Sequence, residues 1–166
     1  MAGETTARLA LPLLHAGQAQ KELDHNEALV LLDIAVQPVV EAIGLNAPPD
    51  DPADGSCWVV GSDPTGAWAG HADALAGWTA GGWRFVAPRD GMSAWRATDG
   101  LTARYEGGWT IGESRVVRLV IGSDQVIGER QAAIANPIGG SSIDIEARDA
   151  ITAVLAAMRT HGLIAP

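Results

Sequence analysis

From Ala28 to Val36 the chain reads ALVLLDIAV, an almost unbroken apolar run in which Asp33 is the one formal charge. Leu29, Leu32, Val36, Val40 and Ile43 form a stripe at helical spacing, and Ala28, Leu31 and Ala35 form a second stripe beside it. Just before the run stand Asp24 and, three positions on, Glu27, the arrangement of an N-cap with a first-turn carboxylate reaching back to it. The pattern predicts a helix from about His25 to about Gln37, ended or kinked by Pro38, or continued with a bend to a stop at Gly44. A helix this broadly apolar needs neighbours on two sides, and so small a chain offers few, so one flank is expected to face another copy.

The polar entrance to that run also contains His15 and His25, which invites a metal reading together with Glu27. The spacing argues against it. Two residues apart on a helix, His25 and Glu27 point about 200° away from each other and cannot share a ligand face. Asn26 and Glu27 are better read as cap and first-turn residues.

After Gly44 the pattern changes to short apolar pieces punctuated by Pro, Gly and Asp, which predicts β structure. SCWVVG, from Ser56, reads as a buried strand, ADGS and SDPTG as turns, and HADALAGW as a short helix or loop. GWTAGGWRFVAP and ARYEGGWTIG read as hairpins whose Gly pairs permit positive φ. They resemble each other: an aromatic, a short turn with Gly-Gly, then Trp, in Trp78 to Trp83 and in Tyr105 to Trp109. Two irregular copies are too few for a solenoid or propeller, so this is one hairpin chemistry used twice.

In the last third, Val116 to Ile121 and Gln125 to Ile127 are strand-like, separated by the turn GSD, and predict a hairpin arm. A Gly-Gly break follows, with Ser142 or Asp144 as a cap, and then strong helix formers predict a second helix from about Ile145 to His161. Ala147, Ile151, Val154 and Met158 follow a four-three-four spacing, the seam of a short coiled coil, with Arg148, Asp149 and Arg159 outside it. A helix docked on its own sheet would show a similar stripe.

Composition sharpens the picture at three points. The 166 residues carry a formal charge of −9, without any basic cluster to override it, which disfavours nucleic acid and anionic membrane surfaces as partners. The single cysteine, Cys57, forms no internal disulfide and reads as a small buried hydrophobe. Against one Phe and one Tyr there are six Trp. Exposed on short strands, Trp78, Trp83, Trp95, Tyr105 and Trp109 would stack on the apolar faces of sugar rings; alternatively, they are simply the bulk that fills the core of a small sheet.

The chain lacks a P-loop, G-x-G-x-x-G, G-x-S-x-G or H-E-x-x-H motif, and the PPDDPADG loop, with Asp50, Asp51 and Asp54, lacks the alternation and distal Glu of a calcium loop. Asp90, Asp99 and Glu106 would permit a glycosidase pair, but nothing selects one. The reading is therefore non-enzymatic, without metal or cofactor. The short apolar run RLALPLLHAG is interrupted by Pro12 and preceded by Glu4, so synthesis in the cytoplasm without a leader is expected, and no stretch is long enough to span a bilayer.

Three pieces carry a resemblance: LPLLHAGQAQKELDHNEALVLLD, the PPDDPADGSCWVVGSDPTGAWAGHADALAGWTAGGWRFVAPRDGMSAW middle, and GERQAAIANPIGGSSIDIEARDAITAVLAAMRTHGLI. In order and wording they resemble a family of uncharacterised domains in phage, prophage and gene-transfer-agent structural proteins, within head spikes and tail fibres. The resemblance implies a virion component: an oligomeric base or adaptor that joins a spike or fibre protein to a capsid or tail protein, or contributes to recognition of host capsular polysaccharide. It carries over no catalytic residues.

The expected fold is α+β, with an N-terminal arm and helix (1–45), a Trp-rich antiparallel β domain (46–112), a β-hairpin arm (113–139) and a C-terminal oligomerisation helix (140–166). Self-association is assigned to Leu29, Leu32 and Val36 and to Ala147, Ile151, Val154 and Met158, giving a homo-oligomer, a trimer or, on a capsid vertex, a pentamer.

Overall fold

The structure, a computed structural model, describes residues 4–15, 17, 21–142 and 144–166. The chain divides into two compact units, Met1–Glu113 and Ser114–Pro166. Helices and small sheets make it an α+β protein.

The first unit begins with an arm that folds back on itself through a bridge between Thr5 and Pro12. Helix α1 follows over Lys21–Ala35. It starts earlier than the capping pattern predicts: Asp24 lies inside its first turn with Glu22, where both carboxylates face the positive end of the helix dipole. Asn26 is also inside, and its side-chain amide accepts the Leu14 N–H at 2.9 Å and donates to the Leu14 carbonyl at 3.0 Å. The helix stops at Ala35 because Gln37 takes a left-handed φ of 45° ahead of Pro38. Val40 and Ile43, placed by spacing on a helical stripe, instead lie in strands β1 (Val39–Val40) and β2 (Ile43–Leu45).

Two four-stranded sheets make up the rest of this unit. Strands β3 (Cys57–Val60), β4 (Leu75–Thr79) and β5 (Gly82–Val86) form an antiparallel meander, with β2 added in parallel beside β3. Strands β6 (Ser93–Arg96), β7 (Leu101–Tyr105) and β8 (Trp109–Ile111) form a second meander, with β1 added in parallel beside β6. The hairpin likeness in the sequence therefore extends to whole sheets. Ser56-Cys57-Trp58 corresponds to Ser93-Ala94-Trp95 in sequence and in the faces its side chains take, but the Gly-Gly-Trp pieces are one residue out of step: Trp83 shares the face of Trp58, and Trp109 packs on the core that holds Ala94. HADALAGW, read as a helix or loop, contributes most of β4, because pairing to β3 and β5 outweighs the helix preference of its alanines and leucine.

Alternation along β3 divides the core in two. Cys57 and Val59 pack with Ile34 of α1, Val40, Leu75 and Ala94, drawing both sheets and the helix onto one core. Trp58 and Val60 point the other way, against Trp68 and Ala76, with Trp78, Trp83 and Phe85 around them.

The second unit holds a two-stranded antiparallel hairpin, β9 (Leu119–Ile121) and β10 (Asp124–Ile127), and helix α2 (Ile145–Thr160). Asp144 caps α2, its carboxylate accepting the Ala147 N–H at 2.9 Å. A bridge joins Gln131 to Ile164. Among the described residues no helix is long and apolar enough to cross a membrane.

Candidate functional site

The aromatic candidates divide sharply by what surrounds them. Trp83 lies at the centre of a cluster, its ring 5.5 Å from Trp58, 5.2 Å from Trp68 and 5.0 Å from Trp78, each edge-on. Tyr105 and Trp109 meet edge-on at 5.5 Å, and the Trp109 Nε1–H donates to the Asp73 carbonyl at 2.8 Å. Trp78, Trp83, Tyr105 and Trp109 are half-buried. Trp95 is 49 % exposed.

The duplicated sheets explain the contrast. Trp58 and Trp95 hold corresponding places on β3 and β6, yet Trp58 is only 7 % exposed. Between β3 and β4 the chain runs through a long connection containing a 3₁₀ turn, Gly66–Trp68, which lays Trp68 against Trp58, and His71 of the same connection stacks flat on Phe85 at 3.7 Å. Between β6 and β7 only residues 97–100 intervene, a tight turn closed by the Arg96–Asp99 ion pair. Trp95 is left on an open strand face beside exposed Val39, Ser93, Thr102 and Arg104. A flat aromatic face bordered by the hydroxyls of Ser93 and Thr102, with the Arg104 guanidinium paired to Glu106 at 2.6 Å, has groups that can stack on a sugar ring and bond its hydroxyls.

A cleft of about 360 Å³ lies between the N-terminal arm, α1 and the β4–β5 hairpin. Its rim carries the Glu27–Arg84 ion pair, closed at 2.8 Å, so these two charges satisfy each other. Cys57 also lines the cleft, and burial pushes its thiol up to about 11, partly offset by the Arg8 charge, so it is held protonated at neutral pH. Among the described residues no group of three His, Cys, Asp or Glu side chains is placed to hold a metal ion.

The residues assigned to self-association are placed as follows. On α1, Ile34 and Val30 turn into the core, Leu29 is half-buried, and Leu32 is exposed, as is Val36 just past the helix. On α2, Leu155 is buried, Ala147, Ile151 and Val154 are exposed, and Met158 is half-buried. Arg148 donates to the Gly139 carbonyl, while Arg159 donates to the Ile134 carbonyl and, at 3.2 Å, to Asn136 Oδ1. The side of α2 turned to its own chain thus combines buried Leu155 with two arginines that bond the 134–139 segment, while Ala147, Ile151 and Val154 lie exposed among Glu146, Asp149 and Thr152. The arginines were assigned to the outside of the seam by the spacing; their carbonyl partners in 134–139 have no signature in sequence.

Comparison with known proteins gives one family. A model described as a protein of unknown function, DUF2793, matches residues 25–110, which run from α1 to β8. No curated protein matches the chain.

Proposed function

This chain belongs to the DUF2793 family over just over half of its length, and from that premise we propose that it is a virion structural protein. In this reading it is the oligomeric base or adaptor of a head spike or tail fibre on a phage-like or gene-transfer-agent particle, made in the bacterial cytoplasm and performing no catalysis. Its partners are further copies of itself, a capsid or tail protein, and the spike or fibre it carries.

The observation that carries the reading is that α2 bonds its own chain through arginines and leaves Ile151 and Val154 to the outside. Exposed aliphatic surface on a terminal helix fits a chain that works assembled. The sequence resemblance is the support for the particle. Light scattering of the purified protein tests the first element, and co-sedimentation with purified particles tests the second. A stable oligomer bound to capsids or tails is expected; a dilution-resistant monomer, or an oligomer indifferent to particles, would remove the reading.

A second reading, a glycan-binding module of a receptor-binding spike, is favoured by the open face around Trp95. Titration with capsular polysaccharide is expected to change tryptophan emission, and Trp95→Ala to abolish the change. An unaltered response in that variant would exclude this face.

A further inference from the structure

We propose that residues 114–166 fold only in the company of the same residues from other copies, with the β9–β10 hairpin as well as α2 buried between subunits. This rests on the self-association reading above and adds to it an element, the hairpin, and a coupling of folding to assembly.

The second unit has almost no interior of its own. Its buried apolar side chains, among the described residues, are Leu155 and Ile164. Every residue of β9 and β10 is exposed. Leu119 faces Ile127 and Ile121 faces Asp124 across the hairpin, so Leu119, Ile121 and Ile127 share one side of a ribbon, with Val120 on the other. A two-stranded ribbon open on both faces and both edges is marginal in water. Val117, just before β9, is 88 % exposed, and Ile138, in the segment ahead of α2, 89 %.

Summed over thirteen separate side chains from Val116 to Leu163, the exposed aliphatics of this unit amount to on the order of 1,000 Å², enough in total for the roughly 800 Å² that each partner of a stable interface buries. The occupant is a second copy because the four-three-four spacing of Ala147, Ile151, Val154 and Met158 is that of a seam packing on its own like. Its α2 seam is aliphatic at Ile151 and Val154, with the helix's arginines bonded elsewhere, so the same seam on another copy meets it without burying a charge.

The test uses the full chain and exploits where its chromophores lie. All six Trp precede residue 110, so their emission reports the first unit alone, whereas helical ellipticity at 222 nm comes from the 15 residues of α1 and the 16 of α2. On serial dilution, molar mass is expected to fall to that of a monomer and ellipticity to drop by about half over the same range, with Trp emission unchanged. A Leu119→Asp, Ile127→Asp variant is expected to show the diluted state at concentrations where the native chain is assembled, and Ser123→Asp, on the turn, to behave as native.

Monomers that keep their full ellipticity would overturn the coupling while leaving any concentrated oligomer, and the spike-base reading, intact. A native mass unaffected by the hairpin variant would remove the hairpin from the interface. A chain that stays monomeric with half its ellipticity at every concentration would show that something other than a second copy completes this unit. Cooperative assembly without affinity for particles would leave the inference standing and sink the virion reading alone.

Discussion

Thr6 and Asp33, 27 positions apart in the chain, are joined by a buried hydrogen bond of 2.8 Å from the threonine hydroxyl to the carboxylate. The same carboxylate accepts the backbone N–H of Arg8 at 3.0 Å and of Leu9 at 2.6 Å. Arg8 returns along the helix end, donating to the carbonyls of Asp33, Ile34 and, at 2.9 Å, Gln37. The charge inside an apolar helix is therefore the post to which the N-terminal arm is tied, and the guanidinium satisfies carbonyls that the helix end leaves unpaired.

Asp33→Asn keeps the shape but presents an NH₂ to donors. Loss of about 2–4 kcal/mol is expected, since buried N–H groups then face a donor instead of an acceptor. Denaturant unfolding followed by tryptophan emission measures it; a change below about 0.5 kcal/mol would mean the arm does not support the first unit.

Gly77 stands where a Cβ would lie 2.5 Å from both Cδ1 and Cγ1 of Ile34. Its counterpart β7 tolerates a buried Ala103 in the corresponding position, because α1 packs on the first sheet there. Gly77→Ala is expected to cost about 1–3 kcal/mol by overpacking. Combining it with Ile34→Ala should cost less than the sum of the two single changes, and additivity in that cycle would disprove the contact.

Cys57 titrates from a raised position, so the sign of its pH effect is fixed. Below about pH 9 the thiol is protonated whether the chain is folded or not; between 9 and about 11 the unfolded chain releases the proton and the folded chain holds it. Stability is whole below pH 9 and declines by about 2–3 kcal/mol as pH rises through that window. In Cys57→Ala the decline should be shallower by that amount. A thiol reagent at pH 8 should react with the native protein far more slowly than with the unfolded chain.

Trp68 is fully buried, yet its Nε1–H lacks a hydrogen-bond partner. Trp68→Phe removes bulk but also removes an unsatisfied donor, so a cost below about 1.5 kcal/mol is expected, less than the usual price of shrinking a core aromatic. A larger loss in thermal or denaturant unfolding would indicate that the indole nitrogen is satisfied in solution.

Much of this architecture was legible where local chemistry is strong. Asp144 followed by helix formers marked α2 to within a residue, and the Gly-Gly turns marked both hairpins of the first unit. Legibility failed where distant pairing decides. Ala74-Leu75-Ala76 favours helix locally, and Leu75 and Ala76 become strand only because β3 and β5 flank them. The duplicated sheet escaped notice because β1 and β2 are two and three residues long, below any periodic signal. The exposure of Trp95 depends on the lengths of two connections, and sequence pattern alone assigned it no distinction from Trp83.

Those two shortest strands have the largest reach. In the seven residues from Val39 to Leu45 the chain serves one sheet, takes a single step through Glu41 and Ala42, and serves the other, with Glu41 and Ala42 bonded to β3 at 2.9 and 3.0 Å. Loops elsewhere can lengthen at little cost, but one residue inserted or deleted here would slide the alignment of both meanders at once. A residue added to the long link bearing Trp68 would be absorbed locally, whereas one added to this narrow joint would be felt in every strand of both sheets.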